Sequence, residues 1–205
     1  MENIILVGGG GHCSSCIDVV EQEGKFQIAG IIDMPDKLGT SLLGYPIIGN
    51  DEDLPKLVKT YQYFLITLGQ IKSPQRRIDL FEKLLQLDVQ LPTIVSPHAY
   101  ISPHATVGAG TIVMHNSLIN AGAMVGDNCI INSHSLIEHD ATVGDHCHIS
   151  TGAIINGGTQ IAGYTFVGSG SVVRDNIRIG SHSLIGGGVS VMEEVPDHSF
   201  YTGKK

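Results

Sequence analysis

The residues best suited to proton transfer stand together at Glu138-His139-Asp140. A neutral imidazole oriented by a neighbouring carboxylate is a standard general base, because the reference pKa of histidine lies near neutrality, at about 6.5. His139 comes two positions after Ile137, which belongs to a regular series of aliphatic residues, so the histidine is not committed to a core. The sequence therefore makes His139 a candidate general base, with a solvated surface histidine as the alternative.

A second candidate site is the glycine-rich stretch Gly8–His12, which follows the apolar run Ile4–Val7. Free backbone N–H groups at the start of a helix suit a phosphate. Asp33 and Gly69 follow two further predicted strands, and the carboxyl ends of parallel strands meet at one edge of a sheet. These residues predict a site for a nucleotide-like ligand.

Two other interpretations of this stretch remain open. The glycines can simply make a tight turn, and Gly8 and Gly10 match part of the dinucleotide fingerprint G-x-G-x-x-G, but Cys13 stands where the third glycine belongs. Cys13 and Cys16 form a C-x-x-C at a helix start, where a thiolate is stabilised. Because residues three apart share a helix face, we favour packing over redox chemistry for both cysteines.

Composition narrows the function classes. The chain has 205 residues, a formal net charge of −8 and no cluster of Lys or Arg, so nucleic acid is not an expected partner. The N-terminus has no signal-peptide pattern, and no apolar run reaches the roughly 20 residues of a membrane helix. Four cysteines do not make a disulfide framework, so we expect a cytoplasmic protein without membrane insertion.

The second half of the chain has a period of six. All 17 positions from Val95 to Val191 in steps of six are Val or Ile, and the residue two before each is nearly always small. This pattern predicts a parallel β-helix, in which three six-residue faces close one triangular coil. Nearly six coils at about 4.8 Å each give a prism roughly 27 Å tall. Glycines at 108, 126, 144 and 180 are predicted to mark one corner in successive coils.

The first 90 residues alternate between strand and helix patterns, which predicts a small parallel, Rossmann-like sheet. We therefore expect an α/β domain over residues 1–90 and a β-helix over residues 91–205. The predicted strands are Ile4–Val7, Phe26–Ile32 and Tyr63–Leu68, and the predicted helices are Cys13–Glu23 and a helix from Ser73 to about Leu87.

Both halves together resemble the NeuD/PglD type of bacterial sugar acetyltransferases, a hexapeptide-repeat family. The resemblance rests on G-x-x-G-H at Gly8–His12, on Asp33, on Gly69 in ITLGQ, and on a long motif from Asn132 to Ser150. That motif reads N-x-x-x-x-I-E-H-[DE] followed by V-G-x-x-x-H-I-S. The resemblance implies a left-handed β-helix, assembly as a homotrimer with active sites between subunits, and acetyl-CoA-dependent N-acetylation of a UDP-linked 4-amino-4,6-dideoxy sugar in glycan synthesis.

The resemblance also implies roles for particular residues. It makes His139 the catalytic base, Asp140 the acid that orients it, and Asn132 a further active-site residue. The implied UDP-sugar contacts are Gly10, Gly11, His12, Asp33, Met34 and Gly69. The implied acetyl-CoA contacts are His148, Gly157, Ser169 and Gly187, and no metal is expected.

Two alternatives stay open at this stage. The same family includes O-acetyltransferases that act on sialic acid or a similar sugar. His98, His134 and His139 also resemble the histidine trio of gamma-class carbonic anhydrases, which bind zinc between β-helix subunits. The chain departs from the family in ending YTGKK, where many relatives continue with a G-x-P-A-K-like tail.

Overall fold

The computed structural model describes residues 1–203, so Lys204 and Lys205, at the end of the YTGKK tail and of the predicted second domain, lie outside the described residues. The chain begins with an α/β unit whose five strands are ordered β3-β4-β2-β1-β5. All neighbours in this sheet are parallel except β3 and β4. The strands are β1 Glu2–Val7, β2 Phe26–Ile32, β3 Ser41–Leu42, β4 Tyr45–Gly49 and β5 Tyr63–Ile66, and the helices are α1 Gly11–Glu23, α2 Leu54–Leu57 and α3 Gln75–Gln86, with a 3-10 turn at Pro35–Lys37.

The three predicted strands and two predicted helices are all present, with ends that differ by up to two residues. The hairpin of β3 and β4 was not predicted. Its strands are short, the second one contains Pro46, and the turn between them places Leu43 at a φ of 49°. A proline inside a short run argues against a strand, which is why the pattern concealed it.

From Ile94 onward the chain forms a prism of two-residue strands with three faces. Face 1 consists of strands Ile94–Val95, Ile112–Val113, Ile130–Ile131, His148–Ile149, Phe166–Val167, Leu184–Ile185 and Phe200–Tyr201. Face 2 consists of Tyr100–Ile101, Leu118–Ile119, Leu136–Ile137, Ile154–Ile155, Val172–Val173 and Ser190–Val191. Face 3 consists of Thr106–Val107, Met124–Val125, Thr142–Val143, Gln160–Ile161 and Arg178–Ile179. Each strand pairs in parallel with the strand 18 residues on, for example Leu118 with Leu136, except that Leu184–Ile185 pairs with Phe200–Tyr201, 16 residues on.

The corners of the prism have a fixed backbone conformation. From residue 110 to residue 188, every sixth residue has a positive φ. The occupants are Gly110, Asn116, Gly122, Asn128, His134, Asp140, His146, Gly152, Gly158, Tyr164, Gly170, Asn176, His182 and Gly188. Glycine, asparagine, aspartate and histidine enter this left-handed region most readily, so the corner selects them. We call this series the left-handed column.

The glycines predicted to mark a corner are required for a different reason. Gly108, Gly126, Gly144 and Gly180 lack a positive φ, but a Cβ at each would lie within 2.6 Å of an atom in the next coil. Real Cβ atoms do not approach that closely, so space rather than backbone torsion demands glycine there.

The α/β unit packs on face 1. Cys13, Cys16 and Ile17 of α1 share one buried cluster with Ile112 and Ile130 of face 1. Full burial of each such aliphatic side chain stabilises the fold by about 1.5–3 kcal/mol. The packing fixes one corner of the prism, between faces 1 and 2, beside the loops that follow β1 and β5. Within the described residues, no helix is long and apolar enough to span a bilayer.

Candidate active site

His139 and Asp140 lie on the edge between faces 2 and 3, in the corner that follows Leu136–Ile137. The Nδ1 atom of His139 lies 2.9 Å from Oδ2 of Asp140, and their side chains are 63% and 72% exposed. Asp140 belongs to the left-handed column, with a φ of 60°. The corner conformation therefore turns the carboxylate toward the preceding ring.

The charges around His139 favour its protonated form. The hydrogen bond to Asp140 raises the pKa of His139, and the negative charges of Asp140 and Glu138 raise it further. Glu138 is itself held in place, since its Oε2 accepts hydrogen bonds from Nδ2 of Asn120 at 2.8 Å and from the backbone N–H of His139 at 3.2 Å. With Nδ1 hydrogen-bonded to a carboxylate, the Nε2 atom is the one available to take a proton from a substrate.

An open cavity of about 600 Å³ surrounds this ring, lined by Glu138, His139, Asp140, Asn156, Gly157, Gly158, Asp175 and Asn176. Gly157 is necessary for access, because a Cβ there would lie 2.7 Å from Nε2 of His139. Asp175 and the two asparagines of this lining were not singled out by the sequence. They lie 18 or 36 residues from positions 138–140, so coil arithmetic from the six-residue period is the signal that finds them.

A second cavity, of about 430 Å³, lies between the α/β unit and the prism. Its lining is His12, Gly69, Gln70, Ile71, Asn132, His148, Ser150, Phe166 and Ser169. His148 Nδ1 lies 2.6 Å from the carbonyl oxygen of Gln70, so this nitrogen carries the proton and donates. The other ring nitrogen, Nε2, then accepts from Nδ2 of Asn132 at 3.2 Å.

The histidines of this second cavity are kept neutral. Burial lowers the pKa of His12 to about 3 and that of His148 to about 4. The positive charge of Arg77 contributes to both of these lowered pKa values. The Nε2 atom of His12 is buried and has no hydrogen-bond partner among residues 1–203. An unpaired buried nitrogen is costly, so a ligand atom is its natural partner.

A third cavity, of about 450 Å³, opens at the carboxyl ends of β1 and β2. Gly8, Asp33 and Met34 line it. Oδ2 of Asp33 accepts a hydrogen bond from Nζ of Lys37 at 2.7 Å, and a Cβ on Gly9 would lie 2.7 Å from the same oxygen. This edge of the sheet is the position at which parallel α/β sheets bind ligands.

The predicted nucleotide-sugar residues thus surround two adjoining spaces. Asp33 and Met34 line the third cavity, and His12 and Gly69 line the second. Gly10 and Gly11 lie at the start of α1, with open space where a Cβ would stand. The first N–H groups of a helix lack intrahelical partners, so they are free to meet a phosphate.

The predicted catalytic and acetyl-CoA residues divide between two edges of the prism. Asn132, His148, Ser169 and Gly187 lie on face 1 or on the corner between faces 1 and 2. His139, Asp140 and Gly157 lie on the edge between faces 2 and 3. Face 2 separates the two groups on one chain.

Gln70 and Arg77 are further residues at the second cavity that the sequence did not single out. Arg77 is fully buried and hydrogen-bonds to Asn128 across 51 residues of sequence. Gln70 follows Gly69 at the end of β5, so its place at the sheet edge was a usable signal. For Arg77 the local pattern gave none, because it stands beside Arg76 in an ordinary helix.

The cysteines behave as core residues. All four are free and buried. Burial raises the pKa of the Cys13 thiol to about 11 and that of Cys16 still further. Thiols with raised pKa values are poor nucleophiles at neutral pH. The packing interpretation of the C-x-x-C therefore fits the structure.

The histidine trio of the metal alternative is not assembled on one chain. His98 and His134 lie on corners between faces 1 and 2, whereas His139 lies between faces 2 and 3. Within residues 1–203, no three His, Cys, Asp or Glu side chains come close enough together to hold a metal ion.

Two family models match the chain. Residues 3–84 match the PglD N-terminal domain, and residues 122–157 match the bacterial transferase hexapeptide, a model of six repeats. No match is found among curated protein sequences.

Three solved structures are similar over nearly the whole chain. PerB from Caulobacter crescentus, in complex with CoA and GDP-perosamine, has a TM-score of 0.89 and 29% identity, covering 96% of this chain and 92% of its own. The acetyltransferase domain of PglB from Neisseria gonorrhoeae, in complex with acetyl coenzyme A, has a TM-score of 0.89 and 26% identity, covering 98% and 96%. WeeI from Acinetobacter baumannii, at 21% identity, has a TM-score of 0.77 with coverage of 98% and 97%, and supports the fold alone.

These matches and the observed strands confirm the predicted fold class, a small α/β domain followed by a left-handed parallel β-helix. The N-terminal model covers the unit that carries Gly8–His12, and the repeat model covers the corner that carries His139 and Asp140. The two matched regions and the similarity of the whole chain to PerB and the PglB domain confirm the resemblance to the NeuD/PglD type of sugar acetyltransferases that the motifs indicated.

Proposed function

We propose that this protein transfers the acetyl group of acetyl-CoA to the 4-amino group of a UDP-linked 4-amino-4,6-dideoxy-N-acetylhexosamine. The product is a UDP-N,N′-diacetylbacillosamine-type sugar for surface glycan or protein glycosylation. The observation that carries the proposal is the exposed His139–Asp140 pair, with Nε2 facing an open cavity. The similarity to PerB and to the PglB domain, both of which form complexes with CoA or acetyl-CoA, supports the choice of acetyl donor.

His139 supplies the proton transfer in this reaction. The amine attacks the thioester carbonyl, and Nε2 of His139 takes a proton from the attacking nitrogen. Asp140 stabilises the imidazolium that forms. The tetrahedral intermediate carries an oxyanion, to which a backbone N–H or the Asn132 amide donates. The carbon–sulfur bond then breaks, its electron pair goes to sulfur, and the proton held by His139 converts the thiolate to free CoA thiol.

The remaining residues bind the two substrates. The start of α1 at Gly10 and Gly11 faces the diphosphate, Asp33 and Met34 hold the nucleoside, and His12 and Gly69 contact the sugar. His148, Gly157, Ser169 and Gly187 contact acetyl-CoA. The neutral state of His12 suits this role, because a neutral ring can accept a hydrogen bond from a sugar hydroxyl through its unpaired Nε2.

We further propose that the active protein is a homotrimer with its active sites between subunits. The outward side chains of face 2 make an apolar stripe of Leu118, Leu136, Ile154 and Val172, each only partly buried, below the exposed Tyr100. A second copy that covers this stripe brings its own prism edge against the first. The His139 edge of one chain can then face the Asn132 and His148 edge of its neighbour, which unites the two halves of the site.

The compartment proposed for this reaction is the cytoplasm. Free buried thiols are typical of proteins in a reducing environment, and all four cysteines of the chain are of this kind.

The decisive experiment measures thiol release from acetyl-CoA with purified protein and a panel of acceptors. Turnover with the UDP-4-amino sugar, with the product identified as the N-acetyl sugar, is the expected result. Turnover only with GDP-perosamine, the sugar nucleotide bound by PerB, would move the nucleotide assignment to guanosine. Turnover only with a hydroxyl acceptor such as sialic acid would replace N-acetylation by O-acetylation.

A further inference from the structure

Arg77 is a fully buried arginine without an acidic partner. Its side chain is among the largest fully buried side chains of the chain, at 1% exposure. Nη1 donates to the carbonyl oxygens of Ile66 at 3.0 Å and Leu68 at 2.7 Å. Nη2 donates to the carbonyl oxygen of Asn128 at 3.1 Å and to its side-chain oxygen at 2.7 Å. No carboxylate of residues 1–203 forms an ion pair with it.

Stability alone is a poor account of this residue. Burial lowers the pKa of Arg77 to about 10, so the guanidinium remains charged at neutral pH. A buried charge that meets only neutral acceptors is costly, and an apolar side chain of similar volume often packs at lower free energy. The Nε atom of Arg77 also has no hydrogen-bond partner in the described part of the chain. Unlike an apolar side chain, the guanidinium can hold three separate segments in a fixed geometry.

The three segments join the two domains around the second cavity. Arg77 belongs to α3, Ile66 and Leu68 belong to the end of β5 and its loop, and Asn128 is a corner residue of the prism. The loop continues to Gln70, whose Nε2 donates to the carbonyl oxygen of His146 at 2.9 Å. The side chain of Asn128 meets Nδ1 of the same His146 at 2.9 Å. The contacts therefore close a ring from Arg77 through the prism and back to the loop.

This ring sets the wall of the cavity. The loop presents Gly69, which lies against His12, and the Gln70 carbonyl, which accepts the proton of His148 Nδ1. That contact keeps Nε2 of His148 unprotonated and able to accept from Asn132. If the loop moves away from the prism, His148 loses the partner that selects its tautomer, and His12 loses its contact with Gly69.

We propose that Arg77 is a positioning residue for acyl transfer: it holds the Leu68–Gln70 loop on the β-helix, so that residues of both domains present one rigid cavity to the nucleotide sugar. The proposal rests on the proposed function, because it assigns the second cavity to the acceptor.

The test uses the full chain with Arg77→Met and Arg77→Lys. Methionine keeps the apolar bulk and removes every donor, whereas lysine keeps the charge but not the planar fork. For Arg77→Met we expect the KM for the acceptor sugar to rise about tenfold or more, as small displacements of a bound reactant typically cause. The KM for acetyl-CoA should rise clearly less than that for the acceptor, because only His148 among its proposed contacts is hydrogen-bonded to the loop. Arg77→Lys should restore part of the acceptor affinity.

A spectroscopic readout separates positioning from stability. The ¹⁵N shifts of the His148 ring should report a single Nδ1–H tautomer in the natural protein and a mixture in Arg77→Met. Asn128→Gly is a milder variant in case Arg77→Met does not fold, since glycine keeps the left-handed backbone and removes only the side-chain amide that accepts from Arg77 and contacts His146. It should shift both readouts in the same direction, by less. Arg178→Met is the matched control, because Arg178 is half exposed and paired with Asp197 outside the proposed site.

Two outcomes would overturn the proposal. One is a lowered melting temperature with unchanged acceptor KM and an unchanged His148 tautomer. The other is that the control variant Arg178→Met raises the KM for the acceptor and the KM for acetyl-CoA equally. If the natural protein acetylates no nucleotide amino sugar, the proposed function fails separately. The His148 tautomer and calorimetric binding of UDP and GDP to the same variants then still decide the role of Arg77.

Discussion

Two candidate binding regions of this protein place histidine side chains in opposite environments. His139 is exposed beside two carboxylates, which raise its pKa. His148 is buried and His12 half-buried in the wall of the second cavity, with Arg77 nearby, and the pKa falls to about 3 for His12 and to about 4 for His148. A ring that gains and loses a proton in each turnover needs water and a compensating charge. A ring that binds through one defined nitrogen is better kept neutral and dry.

Removal of the exposed His139 should have the largest effect on kcat among the variants that compare the two regions. In His139→Ala we expect kcat to fall about 10²- to 10⁴-fold, which is the usual contribution of a positioned general base. Calorimetric binding of acetyl-CoA should remain within about threefold, because the ring is largely exposed and supports little packing. His104→Ala is the control, since His104 is an exposed histidine on the same edge of the prism. An active His139→Ala enzyme would contradict the assignment of the base.

Asp140→Asn tests why the pKa of His139 is raised. Asparagine accepts the left-handed φ of 60°, so the corner should keep its shape. The loss of the negative charge should lower kcat about 10- to 100-fold. Because the carboxylate stabilises the imidazolium, its removal lowers the pKa of His139 and moves the acidic limb of the kcat/KM profile to lower pH. The acceptor amine titrates alike in both enzymes, so the difference reports His139.

Glu138→Gln is the companion variant for this profile. Glu138 acts on the ring only through its charge, so the acidic limb should move in the same direction by a smaller amount. A limb that stays in place in both variants, or moves to higher pH, would be inconsistent with the carboxylates as the cause.

The buried histidines should appear in the pH dependence of stability. Their folded-state pKa values lie below the unfolded value of about 6.5, so the unfolded chain binds more protons between about pH 6.5 and pH 4. Stability is therefore fully present above about pH 6.5 and is lost as the pH falls toward 4. His12→Gln should reduce the loss of melting temperature between pH 7.5 and pH 4.5 by about 2–6 °C. An equal loss of melting temperature in His12→Gln and in the control His104→Gln would argue against His12 as a source of the pH dependence.

The smallest effect should come from the cysteines of α1. Cys13→Ala and Cys16→Ala should leave kcat and both KM values within about twofold, because buried thiols of raised pKa do no chemistry at neutral pH. The melting temperature should fall by about 1–4 °C through the lost packing. Activity that depends on either thiol, or on added reductant, would restore the redox interpretation.

The β-helix was largely readable from the sequence because every coil repeats the same environment. The aliphatic residue of each six is buried from Val113 to Val191 along the axis of the prism. Strands of the α/β unit were equally clear where apolar runs were long. The hairpin around Pro46 and the face chosen by the α/β unit were not, because both depend on contacts between distant segments.

The site was readable only in its local parts. His139 meets Asp140 because the two are adjacent in sequence on one corner. The separation of Asn132 from His139 follows from coil geometry, since seven residues lead from one edge of the prism to the next. Arg77 had no local signal at all, because its partner Asn128 is 51 residues away.

The left-handed column has a consequence for how this enzyme can vary. A saturation library at its positions, selected only for folding, should accept chiefly glycine, asparagine, aspartate and histidine. At residue 140 the same library, selected for turnover, should accept aspartate far better than its fold-compatible substitutes. The acid that we propose to tune the base is therefore drawn from a small set of residue types that the corner already permits. A single codon change such as Asp140→Asn or Asp140→Gly would leave an intact scaffold with its chemistry impaired.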